Sequence, residues 1–291
     1  MEKITLGSKD DRKSSIAIVT VAIGDKYLKK YDAMFRQSFL RYGKAVGADL
    51  FVVDDYIIPS DKRGWWQKLV PFEDSRIAEY EKVVVIDYDI YITKHAKNVF
   101  SAVGEKPWGI CKSNPYDLAK NAIEDQYYFA SCPEENRPPF AANGGMIVMS
   151  RSYKDALKKV YEQYSDIEAR DMEAGPLFYF LYNDGKGMIL DEEFNTPVAL
   201  YVTKYGCSLS SVLRMYDRSS FIHFVGGKWH AIYYFVRWFD GLESKMAKKV
   251  VRFLGSKRYD PITSALFRLF QRGVGIYDHR IRKFFNHSIK R

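Results

Sequence analysis

The chain has 291 residues, of which 47% are apolar and 16% aromatic. That length and apolar content give one large domain a sizeable core and exclude an intrinsically disordered chain. The formal net charge is +9, and residues 241–291 carry thirteen Lys/Arg against three Asp/Glu, so the excess lies at the C-terminal end and points to an acidic partner surface.

Ser15–Val21 is a short apolar, β-branched run and predicts a buried strand. Tyr27, Tyr31, Phe35 and Phe39 follow at spacing four, the apolar stripe of a helix of roughly twenty residues that Gly47 ends. Leu50–Val53 predicts a second buried strand, closing on Asp54-Asp55, so the three elements form a βαβ unit. Pro59 to Gly64 is a loop, and Trp65–Tyr80 predicts a helix with Leu69, Phe72 and Ile77 inward. Lys82–Ile86 (KVVVI) is the clearest strand and runs into Asp87-Tyr88-Asp89. Strands at Trp108–Cys111, Ile147–Met149, Gly187–Leu190 and Phe221–Val225 and helices at Ser152–Tyr164 and Gly175–Asn183 complete the alternation. The pattern predicts an α/β fold with a mostly parallel sheet covered on both faces. Ligands of such sheets bind beyond the carboxyl ends of the strands.

No uncharged apolar run is long enough to span a bilayer. The N-terminal MEKITLGSKDDRKSS lacks the apolar centre of a signal peptide, which predicts a cytoplasmic protein. Cys111, Cys132 and Cys207 are odd in number and have no CxxC spacing, so they read as reduced packing residues.

A strand ending in Asp-x-Asp offers two carboxylates that a turn can aim at one hard divalent cation, which completes its shell with substrate phosphates. The plainer reading of Asp87 and Asp89 is a solvated acidic turn. His223 in FIHFVGGKW can add a nitrogen ligand, with Lys228 as a basic group for phosphate. The plainer readings there are a core histidine and a simple Gly226-Gly227 turn.

Four blocks in order resemble the GT-A-fold glycosyltransferases, most closely the family 8 retaining enzymes that transfer galactose or glucose in bacterial surface-glycan synthesis. They are IAIVTVAIGDKYL, WWQKLVPFEDSRIAEYEKVVVIDYDIYI, FAANGGMIVMS and FIHFVGGKWH. The resemblance implies a Rossmann-like GT-A catalytic domain over residues 15–230, a polar lead over 1–14, and a basic helical extension over 231–291. It implies a nucleoside-diphosphate sugar donor, UDP-linked by default, and a glycan or lipid-linked acceptor. Asp87, Asp89 and His223 would hold Mn²⁺ or Mg²⁺. Lys228 and the backbone of Gly226 and Gly227 would hold the diphosphate. Ala22, Ile23 and Gly24 would floor the nucleotide beside Tyr27. Lys68 would reach the donor, and Asn143 and Gly144 the donor sugar. Glu173, with Asp171 as rival, would face the reacting carbon. The chain departs from the family in lacking Pro before Trp229 and in having Asp171-Met172-Glu173 where Asp-Gln-Asp is usual.

The extension interleaves Ala231–Phe239 (AIYYFVRWF) with later basic residues, a pattern suited to an interfacial helix on the inner face of an anionic membrane. A packed helical cap with a solvated basic face is the alternative, and nucleic-acid binding ranks below both because no nucleic-acid motif is present. For the whole chain, the alternatives to a glycosyltransferase are a degenerate GT-A-like binding module and a nucleotidyltransferase. VAIGDKYLKKY lacks the Gly-rich signature that the last of these needs.

Overall fold

A computed structural model describes residues 2–4, 14–59, 63–113, 133–164, 173–225, 229–255 and 265. Its strands are β1 (Glu2–Ile4), β2 (Ile16–Val21), β3 (Asp49–Val53), β4 (Lys82–Ile86), β5 (Ile90–Ile92), β6 (Trp108–Lys112), β7 (Ala142–Ser150), β8 (Met188–Leu190), β9 (Thr196–Pro197) and β10 (Phe221–His223). Seven form the central sheet in the order β1-β3-β2-β4-β7-β6-β8. Five of these point the same way, while β1 and β7 run opposite, so the sheet is mostly parallel. A smaller sheet, β5-β10-β9, stands beside it.

Alternation along the strands sorts two cores, one on each face of the large sheet. Ile18, Leu50, Val52, Val84, Ile86 and Val148 face one cluster. Ala17, Val19, Phe51, Val53, Val83, Val85 and Ile147 face the other. The predicted long helix is present as α1 (Asp25–Lys30), a π turn (Tyr31–Phe35) and α2 (Arg36–Val46), with Tyr31, Phe35 and Phe39 fully buried. A π turn frees carbonyls from the helical ladder. Met34 and Ala33 accept there from Tyr233 and Arg237. Gly24 (φ 96°) opens the helix and Gly47 (φ 71°) closes it, both in backbone conformations that side chains disfavour.

The remaining helices are α3 (Val99–Val103), α4 (Lys154–Tyr164), α5 (Ala174–Asp184), α6 (Val198–Tyr205), α7 (Leu209–Arg218), α8 (His230–Gly241) and α9 (Lys245–Leu254). Three expectations change. The helix expected over Trp65–Tyr80 is instead two 3₁₀ segments, Gly64–Leu69 and Pro71–Glu73, followed by turns. Pro71 forces the break: it pushes Val70 out of the helical region to φ −121°, ψ 33° and has no N–H to continue a ladder. The expected inner residues Leu69, Phe72 and Ile77 are nevertheless buried. β7 extends beyond Ile147–Met149 to take in Asn143-Gly144-Gly145. The aromatic segment of the extension forms α8, whose Ile232, Tyr233, Val236 and Phe239 are fully buried in the domain core. Its inner face is therefore not available to a membrane. No helix among the described residues is long and apolar enough to cross one.

Candidate functional site

β4 ends at Ile86, and the ladder continues one bond further, Asp87 N–H donating to the Gly145 carbonyl at 2.8 Å. The chain then turns, Ile90 N–H bonding back to the Asp87 carbonyl, and leaves along β5. This turn brings both carboxylates to one side. β10 lies antiparallel to β5 with His223 opposite Ile90, and Phe224 N–H bonds the Asp89 carbonyl, so the small sheet delivers the imidazole to the Asp-x-Asp turn. Potential ligand atoms of Asp87, Asp89 and His223 lie within 4.8 Å of one another. His223 Nε2 is 3.3 Å from Asp89 Oδ1 and 3.7 Å from Asp87 Oδ2.

The donor set suits a divalent cation. Asn195, fully buried, places Oδ1 3.0 Å from His223 Nδ1. With a cation bound, an Nδ1–H donated to that oxygen would leave the Nε2 lone pair for the metal, the usual orientation of a metal-binding histidine. Burial raises the Asp89 carboxyl, but His223 and Lys30 outweigh it and hold the group below the ordinary carboxylate range. Lys30 Nζ stands 3.5 Å from Asp89 Oδ2.

A second charge cluster adjoins the first. Lys68 Nζ lies 2.5 Å from Asp87 Oδ1 and 2.8 Å from Glu173 Oε1. Desolvation opposes its charge, yet the two carboxylates prevail and keep the ammonium protonated. Two acids compete for this one cation. Burial pushes the Glu173 carboxyl up, Lys68 pulls against it, Asp87 adds to the rise, and the net direction is up. Glu173 Oε2 is buried with no hydrogen-bond partner among the described residues.

The glycines of β7 make room for this arrangement. A Cβ on Gly144 would stand 2.6 Å from Glu173 Oε1, and one on Gly145 would stand 2.4 Å from His223 Cε1. Asn143 Oδ1 accepts from Gly145 N–H at 2.8 Å.

Except for Lys30 and Asn195, which stand behind Asp89 and His223, these groups line one cleft of about 680 Å³. Of the residues expected at the site, Ile23, Tyr27, Lys68, Asp87, Asp89, Asn143, Gly144, Glu173 and His223 line it together. Ala22 and Gly24 do not; Ala22 is buried and bonds the Val53 carbonyl, and Gly24 sets the start of α1. Asp54 and Asp55 likewise lie off the cleft. Asp171, Gly226, Gly227 and Lys228 fall outside the described residues. Lys30, Tyr56, Arg63, Trp65, Tyr88 and Asn195 were not expected. Tyr88 sits between the two aspartates in sequence and meets Tyr27 edge-on at 5.3 Å, so its position in the motif was the available signal. Nothing local marks Asn195, which reaches the site only through the pairing of β9 with β10.

No protein-family model and no curated protein matches the chain. Its structure is similar to that of a glycosyltransferase involved in the glycosylation of the major capsid of PBCV-1, with a TM-score of 0.51 and 10% identity. The match covers 77% of this chain and 98% of that one. The architecture is thus a GT-A-like, Rossmann-like glycosyltransferase fold, with an Asp-Asp-His cluster at the carboxyl end of its central strand.

Proposed function

We propose that the protein is a metal-dependent glycosyltransferase that moves a sugar from a nucleoside-diphosphate donor to a glycan or lipid-linked acceptor. The observation that carries this reading is the Asp87, Asp89 and His223 cluster in one cleft with the Lys68–Glu173 pair. The family 8 resemblance adds UDP as the nucleotide, Mn²⁺ or Mg²⁺ as the ion, and retention as the stereochemical course.

A divalent cation held by the two carboxylates and His223 Nε2 would neutralise the diphosphate as the sugar–oxygen bond breaks. Ile23 and Tyr27 floor the nucleotide, and Tyr27, 42% exposed, offers a ring face to the base. Asn143 and Gly144 border the donor sugar. Lys68 remains charged and fixes Glu173 through Oε1. Glu173 Oε2 is then the negative group that stabilises positive charge on the anomeric carbon. The acceptor hydroxyl oxygen forms the new bond to that carbon while the bonding pair leaves with the diphosphate, whose freed oxygen takes up the hydroxyl proton.

Thermal unfolding with UDP, GDP, CMP and ADP, each with and without Mn²⁺, tests this. One nucleoside diphosphate should stabilise the protein by about 2.7 kcal/mol at a hundredfold excess over its Kd, and only with metal. Asp89→Ala should abolish the shift. Absence of any shift, or an equal shift in Asp89→Ala, would refute the site and favour a non-catalytic binding module.

A further inference from the structure

A helix on the surface of a globular domain normally turns its apolar stripe inward. In α9 the stripe faces out. Lys248, Val251 and Arg252 hold the helix to the body: Val251 packs on the core, Arg252 bridges Asp217 at 2.6 Å, and Lys248 and Arg252 lie over the Phe239 ring. On the opposite side Met246, Val250 and Leu254 recur at spacing four, which places them in one row along the helix. They are 70%, 50% and 42% exposed, and no residue of α9 is buried. Lys245 and Lys249 run beside the row, one residue before Met246 and Val250. Ser244 caps the helix through Ala247 N–H, so it is a terminated element in its own right.

We propose that this face of α9 docks on an anionic lipid surface, its aliphatic row entering the headgroup–acyl boundary and Lys245 and Lys249 meeting the headgroups. Charge complementarity selects that occupant. The sequence after residue 255 adds nine Lys/Arg against two Asp/Glu. A second copy would bring the same positive charge to the contact and be repelled. Single-stranded nucleic acid takes a series of stacking aromatics, and beside the aliphatic row α9 carries one, Phe253, which is 59% exposed. An apolar row edged by lysines is the composition of helices that lie in a membrane interface. Within the extension expected to meet a membrane, this docking assigns the role to the outward row of α9, since the inner face of α8 is occupied by the core. It is independent of the chemistry proposed for the cleft.

Flotation of the full chain with phosphatidylcholine vesicles, with and without phosphatidylglycerol, tests the docking. Wild-type protein should float with the anionic vesicles only, and high salt should release it. The double variant Met246→Glu with Val250→Glu should lose roughly tenfold or more in partitioning, and so should Lys245→Glu with Lys249→Glu. All four side chains are exposed, so the melting temperature and any UDP–Mn²⁺ shift should stay at wild-type values. Vesicle binding unaltered by Met246→Glu/Val250→Glu would overturn the proposal. So would a concentration-dependent dimer abolished by that variant in protein that does not float, or binding to single-stranded DNA in place of vesicles. Loss of the nucleotide shift with intact flotation would count against the transferase reading alone.

Discussion

Glu173 is a buried acid that shares one lysine with a second acid, and this arrangement makes its ionisation costly. Its carboxyl holds a proton more tightly in the fold than in the unfolded chain. Native stability is therefore lost as pH rises from the unfolded carboxylate value, about 4.3, through the raised native value, and the full cost stands above it. Glutamine carries no such cost. Glu173→Gln should melt above wild type at pH 7, and the gap should close as the pH falls towards about 4. A variant that melts lower at pH 7, by a margin independent of pH, would show that the carboxylate is instead a net stabilising group. A destabilising charge retained in the cleft fits a functional role, since sites of chemistry commonly keep groups that weaken the fold. At this scale the sequence was most legible where chemistry is local. Asp87 and Asp89 follow a clear strand and could be read from it. Gly145 stands in the FAANGGMIVMS block with no role of its own, because the His223 ring that needs its bare backbone arrives from far along the chain.

Among the elements, seven of the ten described strands were legible; the short β1, β5 and β9 and the 3₁₀ segment were not, and β1 falls in what was expected to be a polar lead. Trp65–Tyr80 has apolar residues at helical spacing, but Pro71 within it restricts the residue before it, a signal that the spacing alone does not carry. The consequence is functional, because the 3₁₀ segment Gly64–Leu69 carries Lys68 into the cleft. Gln67 anchors it. Its fully buried side chain accepts from Ile57 and Ile58 N–H at 2.9 and 3.0 Å and donates to the Ile58 carbonyl. Nε2 also reaches the Tyr161 hydroxyl on α4. Gln67→Leu keeps the volume and leaves those backbone groups without partners, at a cost of about 2–3 kcal/mol. The melting temperature should drop by roughly 5 °C and the UDP–Mn²⁺ shift should shrink as Lys68 loses its support. An unchanged melting temperature would show that water replaces the amide and that Gln67 is not an anchor.

At the scale of the whole molecule, the α/β alternation and the carboxyl-end cleft could be read from periodicity, because the large sheet is buried on both faces. The small sheet and the buried α8 could not, since β9 is two residues long and α8 looks like a surface helix until the π turn exposes carbonyls for it. One buried group joins these distant parts. Asp240, fully buried near the end of α8, accepts from the hydroxyls of Tyr91 on β5 and Tyr216 on α7. It also accepts from Lys94 N–H at 3.0 Å and lies 3.1 Å from Arg41 Nη2 on α2. Asp240→Ala strands the Tyr91 and Tyr216 hydroxyls in the interior and takes one acceptor from Lys94 N–H and from Arg41, and removing one partner of a buried charged network costs about 3–5 kcal/mol. Against a total stability of about 5–15 kcal/mol, that is a large share. The melting temperature should fall by on the order of 10 °C. Asp240→Asn keeps one acceptor oxygen and should lose less. The carboxylate does not line the cleft, so protein that remains folded should still show the UDP–Mn²⁺ shift. Equal losses in the Ala and Asn variants would mean that the charge facing Arg41, rather than the hydrogen bonds from β5 and α7, holds the second layer to the sheet.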